Sequence, residues 1–280
     1  MGKWDIREII WAIVALAVVF YIGARWCARP LKQYVEGFEG YLMDSNPVPI
    51  IPLDIYQTWK TKDLPPKMEK CVETLKRQNP EFRHHLYDDE DCYQFIQDNF
   101  DAEVAEAYDA LIPGAYKADL WRYCILYKRG GIYLDIKYYC ADGFKLIKLT
   151  DKEYFVHDST AYTTNGDIVD GIYNAMIVAL PGNQKLKESI DRIVDNVKTQ
   201  YYGKSDLEPT GPLCLAKSFS KSEFSNMDMV FSNQTNDIRM NGKPVMIQYK
   251  EYYTRDNVGK NRYGDLWARS NVYKYDNTFV

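Results

Sequence analysis

The chain has 280 residues, 46% of them hydrophobic, and a formal net charge of −4. That length admits one large domain with an appendage or two small ones, and a slightly acidic chain is a poor match for a nucleic-acid backbone, so no nucleic-acid partner is expected. Six cysteines without a Cys-x-x-Cys pair suggest neither a zinc site nor a small disulfide scaffold, and Cys124 and Cys140 read as buried free thiols.

After a short tail, residues 1–8, the stretch Ile9 to Ala24 carries no charge and is followed by Arg25 and Trp26. At about 1.5 Å per residue it reaches roughly 24 Å, enough to span a membrane if Arg25 snorkels and Trp26 sits at the interface. Residues 9–26 are therefore read as a single transmembrane anchor. A cleaved signal peptide is the rival, opposed by the acidic Asp5 and Glu8 where a basic leader would be expected. The flanking Lys and Arg residues give a slight bias toward a cytoplasmic C-terminal domain, too small to fix the orientation. Residues 27–49, with Gly37, Gly40, Pro47 and Pro49, suit an extended stem.

The remainder, 50–280, shows a β-α-β rhythm expected of one α/β domain. Residues 50–59 predict a first strand, Met68–Gln78 a helix, and Phe82–Tyr87 a second strand. Asp88 and Asp89 can cap a helix running to Asn99. Helices over Ala102–Leu111 and Tyr116–Lys128 precede a strand over Ile132–Lys137. A later apolar strand, Ala175–Leu180, leads to a helix with Leu186, Ile190, Ile193, Val194 and Val197 on one stripe.

One stretch concentrates the chemistry. Asp119 and Arg122 lie three apart on a helix and project together, as do Tyr133, Asp135 and Lys137 if they alternate along a strand. Gly130-Gly131 supplies the helix stop and reversal between them. Ligands of open α/β sheets bind outside the carboxyl ends of strands, which is where this cluster falls. The bland reading of Asp119 and Arg122 is a helical ion pair on a solvated face.

Ile55-Tyr56-Gln57-Thr58-Trp59, Asn79-Pro80 with Asp88-Asp89, Ala118-Asp119-Leu120-Trp121-Arg122-Tyr123 and Gly130-Gly131-Ile132-Tyr133-Leu134-Asp135 occur in this order. Asn174, Pro181-Gly182 and Thr210-Gly211-Pro212 follow. Together, over about 50 to 220, these pieces resemble glycosyltransferases with the sugar-binding region containing an Asp-x-Asp motif, a family that includes initiating mannosyltransferases and capsular polysaccharide synthesis proteins. The resemblance implies a GT-A type nucleotide-diphospho-sugar transferase fold, a mixed sheet flanked by helices, behind an N-terminal membrane helix. It implies hexosyl transfer with retention, from a nucleotide-sugar donor to a glycan or glycolipid hydroxyl, at an endomembrane of the Golgi kind. By motif position Trp59 would stack on the base, Asp119 and Arg122 would contact donor sugar and diphosphate, and Tyr133 and Asp135 would hold hydroxyls. Arg122, Asp135 and Lys137 are the expected catalytic residues.

Lys137 departs from the family pattern, which has a carboxylate there to hold a divalent metal, Mn²⁺ or Mg²⁺. Three readings stand. The ammonium replaces the metal; metal still binds through Asp135, waters and diphosphate oxygens; or Lys137 pairs with Asp135 and the site is silent, leaving a sugar-nucleotide- or glycan-binding protein. Trp267 is equally a lid residue or a packing anchor, His157-Asp158 faces an acceptor or merely ends a strand, and Asn233-Gln234-Thr235 has the glycosylation pattern.

Overall fold

The computed structural model describes residues 48–164, 167–250 and 262–274, with 159–164 and 167–169 described by backbone alone. The predicted tail and anchor, and all but the last two residues of the 27–49 stem, lie outside the described residues. Among the described residues no helix is long and apolar enough to cross a membrane. The compact unit that carries the sheet begins at Val48.

The first strand, β1 (Asp54–Thr58), is shorter than the predicted 50–59. Its ladder to β2 (Arg83–Tyr87) begins at Asp54, while Pro52 lacks an N–H and turns the chain, its carbonyl accepting from the Asp54 N–H at 2.8 Å. Between them, α1 (Pro66–Gln78) starts on a proline and buries Met68, Cys71, Val72 and Leu75 along one face. Asp88 caps α2 (Asp89–Asn99) through a reciprocal exchange with Asp91, as the paired acids suggested. Next come α3 (Ala102–Ala110) and α4 (Gly114–Arg129). α4 stops at Gly130, whose φ of 63° only glycine adopts cheaply, and β3 (Gly131–Leu134) begins at once.

Here the structure corrects the sequence reading. The predicted strand 132–137 ends at Leu134; residues 135–137 turn, and a separate strand, β4 (Tyr138–Cys140), follows. Tyr133, Asp135 and Lys137 therefore do not share one strand face. The cause is long-range pairing: β4 leaves β3 to bond antiparallel with β9 (Lys243–Gln248). The chain then runs through β5 (Tyr154–Thr164), β6 (Asp167–Ala179), α5 (Gln184–Lys198), α6 (Pro212–Ala216), α7 (Lys221–Ser225), β7 (Met229–Ser232), β8 (Asp237–Met240), β9 and α8 (Tyr263–Ala268).

Among the described residues the strands form one mixed sheet in the order β2-β1-β3-β6-β5-β7-β8-β9-β4. β1 is parallel to both β2 and β3, and β6 is antiparallel to β3. Because three residues separate the end of β3 from the start of β4, while β4 occupies the opposite edge, the sheet must curl back on itself. Alternation sorts the side chains to two cores. Tyr56, Tyr133 and Ile177 face α2 to α5, whereas Ile55, Ile132 and Val178 face inside the curl with Tyr138, Met229 and Met246.

Candidate active site

β1 connects through α1 to β2 on one side, and the chain then crosses through α2 to α4 to reach β3 on the other side of β1. The connection thus reverses direction between β1 and β3, the crevice where open α/β sheets take ligands. Trp59 follows the end of β1 and Asp135 follows the end of β3, so both predicted residues stand at this switch. Ile136 joins them: it points away from its neighbours into a small apolar cluster with Met68, Cys71, Val72 and Tyr249, against which Trp59 packs. Trp59 is half-buried, and its indole N–H is shielded without a hydrogen-bond acceptor among the described residues.

Arg122 is the hub. Its Nη2 lies 3.1 Å from Asp119 Oδ1 and its Nη1 lies 3.5 Å from Asp135 Oδ1. Nη1 also donates to the Asn174 carbonyl at 2.6 Å, and Nε donates to the Ala118 carbonyl at 3.2 Å. The guanidinium carbon sits 4.4 Å from the Tyr133 ring centre. Burial opposes its charge, but Tyr133, Asp119 and Asp135 outweigh that and raise its pKa. The pairing of Asp119 with Arg122 on one helix face is therefore real, and that face is buried rather than solvated: the two side chains are only 10% and 6% exposed.

Asp119 is also held by its other neighbours. Asn174 Nδ2 donates to its Oδ1 at 2.9 Å and Thr210 Oγ1 donates to its Oδ2 at 2.8 Å. Burial pushes its carboxyl up against the opposing pull of Arg122 and Thr210. Both oxygens thus serve the protein. Asn174 donates in addition to the Tyr123 hydroxyl at 2.8 Å, so one amide ties β6 to two turns of α4.

Asp135 is the carboxylate that retains an open side, its side chain 21% exposed. The Tyr133 hydroxyl donates to Oδ1 at 2.8 Å, and Lys137 Nζ lies 3.0 Å from Oδ2. Burial raises its pKa, yet Lys137 and Arg122 prevail and hold the carboxyl below its ordinary value. Lys137 meets Asp135 across the turn rather than along a strand, and its ammonium also lies 5.5 and 5.6 Å from the ring centres of Tyr138 and Tyr173. Those two tyrosines hydrogen-bond hydroxyl to hydroxyl at 2.7 Å.

Gln57 escaped the sequence reading as an individual contributor. It is fully buried, donates to the Asp135 carbonyl at 3.4 Å and accepts from His84 Nε2 at 2.7 Å. Its signal was present, a long polar side chain inside an apolar central strand. Trp267 donates its indole N–H to the Tyr202 carbonyl at 2.7 Å and packs on the helical core, which makes it a packing anchor. His157 lies 3.0 Å from Asp170 on the neighbouring strand. Asn233 stands exposed in the turn between β7 and β8.

A divalent cation needs several oxygen ligands in one place. Among the described residues there is no group of three His, Cys, Asp or Glu side chains able to hold a metal. Asp119 is saturated, and the one carboxylate with an open side already faces an ammonium. This donor set does not fit the metal that the family pattern implies.

Two cations, Arg122 and Lys137, and two carboxylates, Asp119 and Asp135, are thus gathered at the β1/β3 switch point. In comparison with known proteins, residues 65–156 match the family described as the glycosyltransferase sugar-binding region containing a DXD motif. It is 36% identical over 91 residues to the initiation-specific alpha-1,6-mannosyltransferase of Candida albicans, covering 30% of this chain and 24% of that one. It is 27% identical over 181 residues to inositol phosphoceramide mannosyltransferase 2 of Schizosaccharomyces pombe, covering 64% and 49%. The matches thus span a quarter to a half of these relatives. The solved PaToxG glycosyltransferase shares 18% identity at a TM-score of 0.47, over 70% of this chain and 81% of its own.

Proposed function

We propose that this chain transfers a hexose from a nucleotide-diphospho-sugar to a hydroxyl of a glycan or glycolipid, with retention. The observation that carries this reading is Arg122, fixed between Asp119 and Asp135 and stacked over Tyr133 at the sheet's switch point, inside the matched region. In the transfer the C1–O bond to the diphosphate breaks and its electron pair leaves with the diphosphate oxygen. The acceptor hydroxyl oxygen bonds to C1, and its proton passes to the departing diphosphate. Arg122 and Lys137 supply positive charge for that leaving group, Asp135 and Tyr133 accept and orient donor hydroxyls, and Asp119 holds Arg122 in place. Trp59 offers an aromatic face for the nucleotide base. The GT-A assignment, a catalytic domain over 50–280 and a mannose-type donor agree with the mixed sheet and with what the relatives are called. The uncharged run Ile9–Ala24 supports a single-pass anchor over 9–26, with 27–49 as stem, and an endomembrane address follows from the resemblance.

The test is a panel of radiolabelled UDP- and GDP-sugars given to the purified chain with and without metal ions. Release of nucleoside diphosphate from one donor is the expected result, and no release from any donor rejects the transferase. The closed Asp135–Lys137 pair favours a second reading, a sugar-nucleotide- or glycan-binding protein without turnover. Calorimetric binding of a nucleotide-sugar that is never cleaved would select it.

A further inference from the structure

We infer that the Lys137 ammonium stands in for the divalent cation, so that this site binds and activates a nucleoside-diphosphate leaving group without metal. The inference rests on the donor-binding role proposed above and adds to it the source of the charge.

Charge arithmetic is the first support. Asp119 and Asp135 contribute two formal negative charges and Arg122 and Lys137 two positive, so the cluster is neutral. With a carboxylate at position 137 the same cluster would carry −2, the deficit that one divalent cation cancels. A lysine there makes the correction within the chain, and an added cation would meet an ammonium at 3.0 Å from the oxygen it needs.

Geometry is the second. The Lys137 side chain is only 10% exposed, and its ammonium is fixed by Asp135 and by the faces of Tyr138 and Tyr173, themselves locked by their shared hydrogen bond. The backbone is fixed too: the Tyr138 N–H donates to the Asp135 carbonyl at 3.1 Å, and the Tyr249 N–H donates to the Lys137 carbonyl at 3.0 Å. A charge held this way costs no reorganisation when the diphosphate develops its own, which is the condition for electrostatic stabilisation. Burying an ammonium for one carboxylate is a poor source of stability, so a purely structural pair gains little. An arriving diphosphate offsets the desolvation. Lys137 takes part in no bond making or breaking.

The experiment is calorimetric titration of the full chain with GDP and UDP, in excess EDTA and in excess Mn²⁺, alongside Lys137→Met, Lys137→Arg and Lys137→Asp. The wild-type protein is expected to bind one nucleotide with affinities that agree within about threefold in the two buffers. Lys137→Met, which keeps the apolar stem against the tyrosines, should lose about tenfold or more in both, and Lys137→Arg should retain most of the affinity. Lys137→Asp should bind poorly in EDTA and recover with Mn²⁺. Wild-type binding that requires Mn²⁺ overturns the inference while leaving the proposed function standing, as does a folded Lys137→Met that binds as the wild type does. Failure of both nucleotides in both buffers rejects the donor site itself, and the inference with it. The EDTA comparison on unaltered protein decides the matter even if a variant does not fold.

Discussion

The Tyr133 hydroxyl donates to Asp135 Oδ1 at 2.8 Å across a single intervening residue, and the Arg122 guanidinium carbon lies over the Tyr133 ring, 4.4 Å from its centre. One side chain thus orients the acid with its edge and the cation with its face. Tyr133→Phe keeps the face and removes the edge. A hydrogen bond to a charged group is worth about 1.5–3 kcal/mol, so urea unfolding should show a loss in that range. Nucleotide binding should weaken more than it does in an equally destabilised core variant remote from the site.

Asn174 serves two buried acceptors, Asp119 and the Tyr123 hydroxyl. Asn174→Leu is nearly isosteric yet leaves both short of a donor, and Asp119 with less to offset its burial. The expected cost is about 3–5 kcal/mol, read as a fall in the urea midpoint at unchanged slope. Thr210→Val, which removes a single donor to Asp119, should cost about a third as much.

Arg122→Lys keeps the charge and loses the fork that reaches Asp119, Asp135 and two carbonyls at once. Donor binding should fall by about tenfold or more, and sugar transfer at least as far. A variant with wild-type transfer rates would show that the fork is dispensable.

His84 gives a pH signature. Burial, aided by Lys76 and His85, pulls its pKa down to about 4. Between there and the ordinary value near 6.5 the unfolded chain binds a proton that the folded one refuses, so stability rises with pH across that window and is lost on acidification through it. The loss should approach about 2–3 kcal/mol by pH 4. His84→Asn, measured by urea unfolding at several pH values, should flatten this part of the profile. An unchanged profile would mean that His84 is not the group responsible.

Gly130→Ala tests the helix stop. A Cβ at that position would meet Pro181 Cδ at 2.6 Å and the Ala179 carbonyl at 2.9 Å, at a φ of 63°. Strain and clash together should cost about 2 kcal/mol or more, visible as a drop in Tm.

Local signals carried much of this architecture. The Asp88 cap, the stripe on α5 and the Gly130 stop depend on residues within a turn or two of each other, and all lie where their patterns put them. The pairing of Asp119 with Arg122 was legible for the same reason. Its burial was not, because Asn174 and Thr210 arrive from 55 and 91 residues away. The break between β3 and β4 was hidden in the same sense. Ile132 to Lys137 alternates like one strand, and only the partner strand of the residues after it, more than a hundred residues later, decides that the strand ends at Leu134.

That break has a consequence for how the domain can change. The three residues from Asp135 to Lys137 form the seam where a curled sheet passes from its interior to its far edge, and the chemistry is stitched into the seam. Letters can be exchanged there, a carboxylate for an ammonium, while the stitch keeps its length. Adding or removing one residue would shift the register of β4 on β9 and turn Tyr138 out of the core. Diversity at this site is therefore expected as substitution, with insertions and deletions confined to the loops around it.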